Sequence, residues 1–116
     1  MAALPLNTFK TFTRVVDDND FVVYTAPLGI TAIILMAQAT NLTNLTQEVN
    51  FYHVRETLNQ GIVSTEIVLN FPIPKYDTLS LLSGKLVLES GDSISISSNA
   101  PSGVKFICSI LETSAE

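Results

Sequence analysis

Between Phe71 and Ile96 the chain fits three short apolar runs between Pro, Gly and Asp, with almost no residue to spare. Runs this short, closed by residues that turn the backbone, are built as strands joined by tight turns. The same punctuation governs the rest of the chain. All five glycines and at least four of the five prolines fall between apolar runs. Glycine supplies positive φ and proline removes a ladder donor, so both collect where strands stop.

Strands are therefore expected over 9–16, 21–25, 31–40, 47–55, 62–71, 78–82, 85–88, 93–97 and 104–111. Ser93-Ile-Ser-Ile-Ser97 alternates strictly with period two and reads as a half-exposed strand. The run 31–40 is almost continuously apolar and reads as a central strand covered on both faces. Val104, Phe106, Cys108 and Ile110 share one face of the last run. Periodicity alone would also allow a helix over 30–40, but the Ile and Thr content and the flanking turns favour a strand. A helical turn fits in 52–59 before Gly61. Eight or nine short strands with no helix between them argue against an α/β fold. The expected fold is all-β: a single antiparallel β-sandwich, jelly-roll or Ig-like, of about eight strands. It would occupy 9–116, behind an extended N-terminal arm over 1–8.

Composition narrows the function. Apolar residues make up 47% of the 116 positions and charged residues 15%, well below the roughly 25% of ordinary soluble domains. A surface with so few charges points to burial against a partner or against copies of the same chain, and equally fits a well-packed β-sandwich that covers its surface with Ser, Thr and Asn. The net charge is −5 and the six cations are scattered, so no nucleic-acid partner is expected. The start of the chain lacks a cationic segment before an apolar one, and the greasiest window, 30–39, is too short to cross a bilayer. Cytoplasmic synthesis and no membrane partner are the expectation. Cys108 is the single cysteine and reads as a buried small hydrophobe.

Catalytic chemistry finds no constellation. His53 is the single histidine, with no nucleophile motif or second soft ligand beside it, so neither an enzyme nor a cofactor is expected. Asp17-Asp-Asn-Asp20 offers oxygens for Ca²⁺, but it lacks the glycine and distal glutamate of a calcium loop and reads as a hairpin turn. Asn41 and Asn44 head Asn-Leu-Thr sequons and read as turn formers. Tyr24, Tyr52 and Tyr76 form no evident sugar-stacking platform. The residues singled out for partner binding are Leu4, Pro5 and Leu6: two leucines flank a proline that stiffens an extended backbone.

Two segments carry a family resemblance. One is Tyr24-Thr-Ala-Pro-Leu-Gly-Ile-Thr-Ala-Ile-Ile-Leu35. The other spans 71–96, with Pro72-Ile-Pro74, Leu81-Leu-Ser-Gly-Lys-Leu-Val-Leu88 and Gly91-Asp92, followed by Ile110-Leu-Glu112. Together they resemble small β-sandwich virion structural proteins of tailed bacteriophages, including contractile-tailed cyanophages. The resemblance implies a protein made in the host cytoplasm and carried in the virion. Its implied role is a capsid decoration or cement protein on the outside of the head shell, where an acidic protein would avoid packaged DNA. The major capsid protein or other virion proteins would be its partners, with self-association as a trimer or dimer. A tail, neck or fibre component is the alternative role, and a small carbohydrate- or receptor-binding module is the alternative of a different class.

Overall fold

The computed structural model describes residues 6–114. Its strands are β1 (Leu6–Val16), β2 (Phe21–Thr25), β3 (Ile30–Asn41), β4 (Gln47–Thr57), β5 (Gly61–Ile73), β6 (Thr78–Ser80), β7 (Leu86–Leu88), β8 (Ser93–Ser98) and β9 (Val104–Ser114). Every expected strand is present, and no described residue is helical. The segment 52–59, where a helical turn was possible, is the end of β4 and the tip of its hairpin with β5.

The strands form two antiparallel sheets. One has the order β1-β9-β3-β6, with β7 also pairing β3; the other has the order β2-β8-β4-β5. Taking β6 and β7 as two halves of one interrupted strand, this is the double Greek-key order of a jelly roll. That settles the sequence-level choice between jelly-roll and Ig-like. The interruption reconciles the nine strands, 78–82 and 85–88 having been expected as separate runs, with the eight of a jelly roll.

The core lies between the sheets. From the first sheet come Ala32, Ile34, Ala37, Ala39, Phe106, Cys108 and Ile110; from the second come Val49, Phe51, Ile94 and Ile96. Phe51 and Phe106 meet across the gap with ring centroids 5.8 Å apart. Each large side chain buried this way is worth about 1.5–3 kcal/mol before ordering costs. Cys108 is fully buried, as expected, and burial pushes its thiol up to about 11.

Four expectations need correction. The arm was drawn to Thr8, but β1 begins at Leu6, and Leu6, Asn7 and Thr8 pair with Ser114, Thr113 and Glu112. Residues 1–5 lie outside the described residues. The Asp17–Asp20 link is not a hairpin turn, because β1 and β2 belong to different sheets and the link crosses between them. β8 is not half exposed: Ser95, Ser97 and Ser98 are buried along with Ile94 and Ile96. Small serine side chains sit low between longer neighbours, here Val22 and Tyr52 beside Ser95 and Asn50 beside Ser97. Finally, β3 is fully buried on one face only; Ile33, Leu35 and Met36 on the other remain half-buried.

The loops fall into two groups. At one end, Ser98 N–H donates to Asp17 O, Leu42 N–H to Gly103 O, and Tyr76 N–H to Thr43 O. Asn41 organises this end. Its Nδ2 donates to the carbonyls of Leu45, Ile73 and Pro74, and its Oδ1 accepts from Thr43 N–H and Thr43 Oγ1. At the other end, Ala26 N–H donates to Asp92 O and Gly91 N–H to Ala26 O. Gly91 has φ +88°, a left-handed conformation that a side chain would strain.

Candidate interaction face

The two outer faces of the sandwich differ in chemistry. On the β2-β8-β4-β5 sheet the outward positions include the exposed carboxylates Glu48, Glu56 and Glu66. On the β1-β9-β3 sheet, inward residues of β9 are 104, 106, 108, 110 and 112, so 105, 107, 109, 111 and 113 point out. Register carries this alternation to β1 and β3. Among the described strand positions of that outer face, Lys105 is the only charged residue.

An apolar row crosses this face. Phe9 pairs with Leu111, Leu111 with Ile33, and Ile33 with Val87. These are neighbouring positions on four adjacent strands, so the row spans about 14 Å. Phe9 is 72% exposed and Val87 53% exposed, while Leu111 and Ile33 are half-buried between them. Leu35, Met36 and Ile107 widen the apolar area on both sides of the central strands. Towards the β1 end a groove of about 790 Å³ adjoins it, lined in part by Thr13, Val15, Thr40, Lys105 and Ile107. A contiguous apolar row on a face with a single charged strand position marks a contact site, although large apolar side chains such as Leu28, Leu58 and Ile62 are also exposed elsewhere.

Lys10, Arg14, Arg55, Asp92 and Glu112 are engaged within the chain. Lys10 lies 3.0 Å from Glu112 Oε1, and the Tyr24 hydroxyl donates to Glu112 Oε2 at 2.5 Å. The hydrogen bond from Tyr24 and the pairing with Lys10 hold the Glu112 carboxyl below its usual range, against the cost of burial. Burial, and then Glu112, push the Tyr24 hydroxyl well above the usual tyrosine value. Arg14 stacks over the Phe21 ring, 3.3 Å from its centroid. These contacts close the side of the sandwich where β1 meets β2.

His53 belongs to a second polar cluster. Arg55 donates from Nε and Nη2 to Asp92 Oδ1 and Oδ2 at 2.8 and 2.6 Å. His53 Nε2 lies 3.1 Å from Oδ2, and Glu89 N–H also donates to it. Asp92 is buried, and its carboxyl is lowered to about 2, chiefly by the Arg55 hydrogen bonds. The carboxylate is saturated by structural donors and ties the β7–β8 turn to β4.

Leu4 and Pro5 lie outside the described residues. Leu6 opens β1 at the end of the sheet, opposite Ser114. Asp17, Asp18 and Asp20 lie in the link between sheets, and among the described residues no group of three or more His, Cys, Asp or Glu is placed to hold a metal ion. The tyrosines are dispersed: Tyr24 is buried, Tyr52 is half-buried on β4, and Tyr76 is exposed in the β5–β6 loop. The apolar row escaped sequence reasoning. Its only trace is apolar residues at the off-core positions of their runs, such as Ile33 and Leu111; that they line up depends on which strands pair.

No protein-family model and no curated protein matches this chain. Solved structures share its fold. A subunit of Bacillus endospore appendages, a family of disulfide-linked pili, aligns at TM-score 0.52 and 12% identity, covering 97% of this chain and 89% of that one. A protein of the T13 infectious bursal disease virus particle aligns at TM-score 0.52 and 11% identity. The VP2 subviral particle of the same virus aligns at 0.50 and 8%. The chain covers 92% and 94% of itself in these two alignments but spans about a third of the viral chains, 31% and 32%.

Proposed function

We propose that this chain is a structural protein of a virion: a capsid decoration protein of a tailed phage that docks on the outside of the head shell through the outer face of its β1-β9-β3 sheet. The observation that carries this reading is the outer face itself, with Lys105 as its single charge and the row Phe9, Leu111, Ile33 and Val87 across it. Its three long strands, about eleven residues each, present roughly 500 Å², with the short β6 and β7 as a fringe, the scale of a small interface against the roughly 800 Å² per partner of a standard one. The acidic outer face of the second sheet would then point to solvent. The jelly roll supports the reading as an architecture shared with a viral particle protein. The partner is the major capsid protein or a neighbouring virion protein. Nucleic acid is a poor partner, because Lys10, Arg14 and Arg55 are already engaged by Glu112, Phe21 and Asp92.

One observation favours a second reading, a tail, neck or fibre component. The pilus subunit matches over nearly its full length, so this fold also serves as a free-standing assembly unit. The disulfide linkage of those pili does not transfer, since Cys108 is buried in the core. Gold-labelled antibody against the chain, imaged on intact virions, separates the readings. Label over the head supports decoration, label on the tail supports the second reading, and no label on particles contradicts both.

A further inference from the structure

The two sheets have four edges, and three of them are blunted. β2 is five residues long and carries a bulge between Val22 and Tyr24. β6 and β7 are three residues each, with a break between them. β5 is long, but its pairing with β4 slips twice, Asn70 has φ +49°, and Pro72 removes a donor near its end. Short strands, bulges and proline are the devices by which proteins stop an edge from recruiting another strand.

β1 has no break, bulge or proline; its two charged residues, Lys10 and Arg14, lie on the inward side, where Glu112 and Phe21 engage them. It pairs with β9 in unbroken register over all eleven residues, from Leu6↔Ser114 to Val16↔Val104. It contains no glycine and no proline, and it stands first in its sheet, so its far side pairs with no described strand of this chain. Its Thr, Phe and Val content suits an extended backbone. Thr11 and Thr13 are exposed.

We infer that β1 is a pairing edge, and that its occupant is β1 of a second copy, joined antiparallel about a two-fold axis at Thr11. The strand fits a second copy of itself, and the axis at Thr11 is the one that pairs all eleven of its residues. In a two-fold antiparallel pair, facing residues lie on the same side of the sheet, so the axis passes through a single residue. With Thr11 on the axis, Thr11 faces Thr11, Phe9 faces Thr13, Asn7 faces Val15, Lys10 faces Phe12 and Thr8 faces Arg14. No like charges oppose each other, and threonine facing threonine is a favourable cross-strand pair. Moving the axis one residue to Lys10 sets lysine against lysine. Moving it one residue to Phe12 sets Lys10 against Arg14. Both neighbouring registers therefore oppose cations, which is unfavourable. The resulting contact is isologous, as a closed dimer requires. It also merges two charge-poor outer faces into one continuous surface. The inference does not depend on where in a particle the protein sits.

Cross-linking tests it. In this register the two Thr11 Cα atoms lie about 4.5–5.5 Å apart, within disulfide range, whereas the two Thr13 Cα atoms are displaced by four residues, roughly 14 Å. Thr11→Cys and Thr13→Cys sit on the same strand, face outward and are both exposed, so they differ only in register. On mild oxidation of the folded full chain, Thr11→Cys is expected to form disulfide dimers at least about tenfold faster than Thr13→Cys, with the unsubstituted chain as the control for buried Cys108. Equal rates, faster linkage at position 13, or no linkage at either position overturns the inference. Sedimentation from micromolar to millimolar concentration gives a second readout. Thr11→Lys, which sets two ammonium groups face to face, is expected to shift the chain towards monomer with its circular dichroism unchanged. A dimer that Thr11→Lys leaves intact overturns the assignment to this edge.

Discussion

The Tyr24 hydroxyl donates to Glu112 Oε2 at 2.5 Å, tying β2 of one sheet to β9 of the other at the open side of the sandwich. Both residues are buried, and Lys10 completes the carboxylate. A hydrogen bond to an ionised acceptor is worth about 1.5–3 kcal/mol. Tyr24→Phe is expected to lower the free energy of unfolding by that amount in urea titration. Glu112 has a depressed pKa, so its contribution is present above the ordinary glutamate value and is lost as pH falls. Removing the hydroxyl also removes part of this acid sensitivity.

The Asp92 cluster gives a second pH signature. Its carboxyl lies at about 2 rather than 3.8, so its stabilisation is complete above pH 3.8 and disappears as pH falls through about 2. The shift corresponds to about 2 kcal/mol at most, reduced because the Arg55 side chain remains 42% exposed to water. Asp92→Asn is expected to destabilise the protein at pH 7 and to flatten the loss of stability between pH 4 and 2, as followed by thermal unfolding at each pH.

Asn41 holds one loop end together through five hydrogen bonds. Asn41→Ala leaves buried carbonyls of the β5–β6 connection without their donor, at about 1–3 kcal/mol for each group left unsatisfied. A destabilisation of about 3 kcal/mol is expected. Faster amide exchange should be confined to 42–46 and 74–77, read by hydrogen exchange. Asn44→Ala lies on the same loop and serves as the comparison.

Much of this fold is legible in the sequence because its signals are local. Gly29, Gly61 and Gly91 each take positive φ at a turn, and the apolar runs between such positions became the strands. What escaped is relational. Whether Ser95 and Ser97 face water depends on the length of Val22, Tyr52 and Asn50 on the flanking strands. Whether 17–20 is a hairpin depends on which sheet each flanking strand joins. The interaction face is relational in the same way. Phe9, Ile33, Val87 and Leu111 are far apart in sequence and become one row only through three registers.

The central claim is that the outer face of the β1-β9-β3 sheet holds this protein to its particle, and one binding experiment addresses it most directly. Leu111→Lys and Val87→Lys put a cation into the apolar row at positions that already touch water, so folding is expected to survive. Ser64→Lys adds the same charge to the exposed outer side of β5 on the other sheet. Virions stripped of the protein are mixed with each purified variant and sedimented. The account predicts that Leu111→Lys and Val87→Lys weaken binding at least about tenfold, a cost of about 1.4 kcal/mol, while Ser64→Lys binds as the unsubstituted chain does. Undiminished binding by both row variants, or a loss confined to Ser64→Lys, would contradict it.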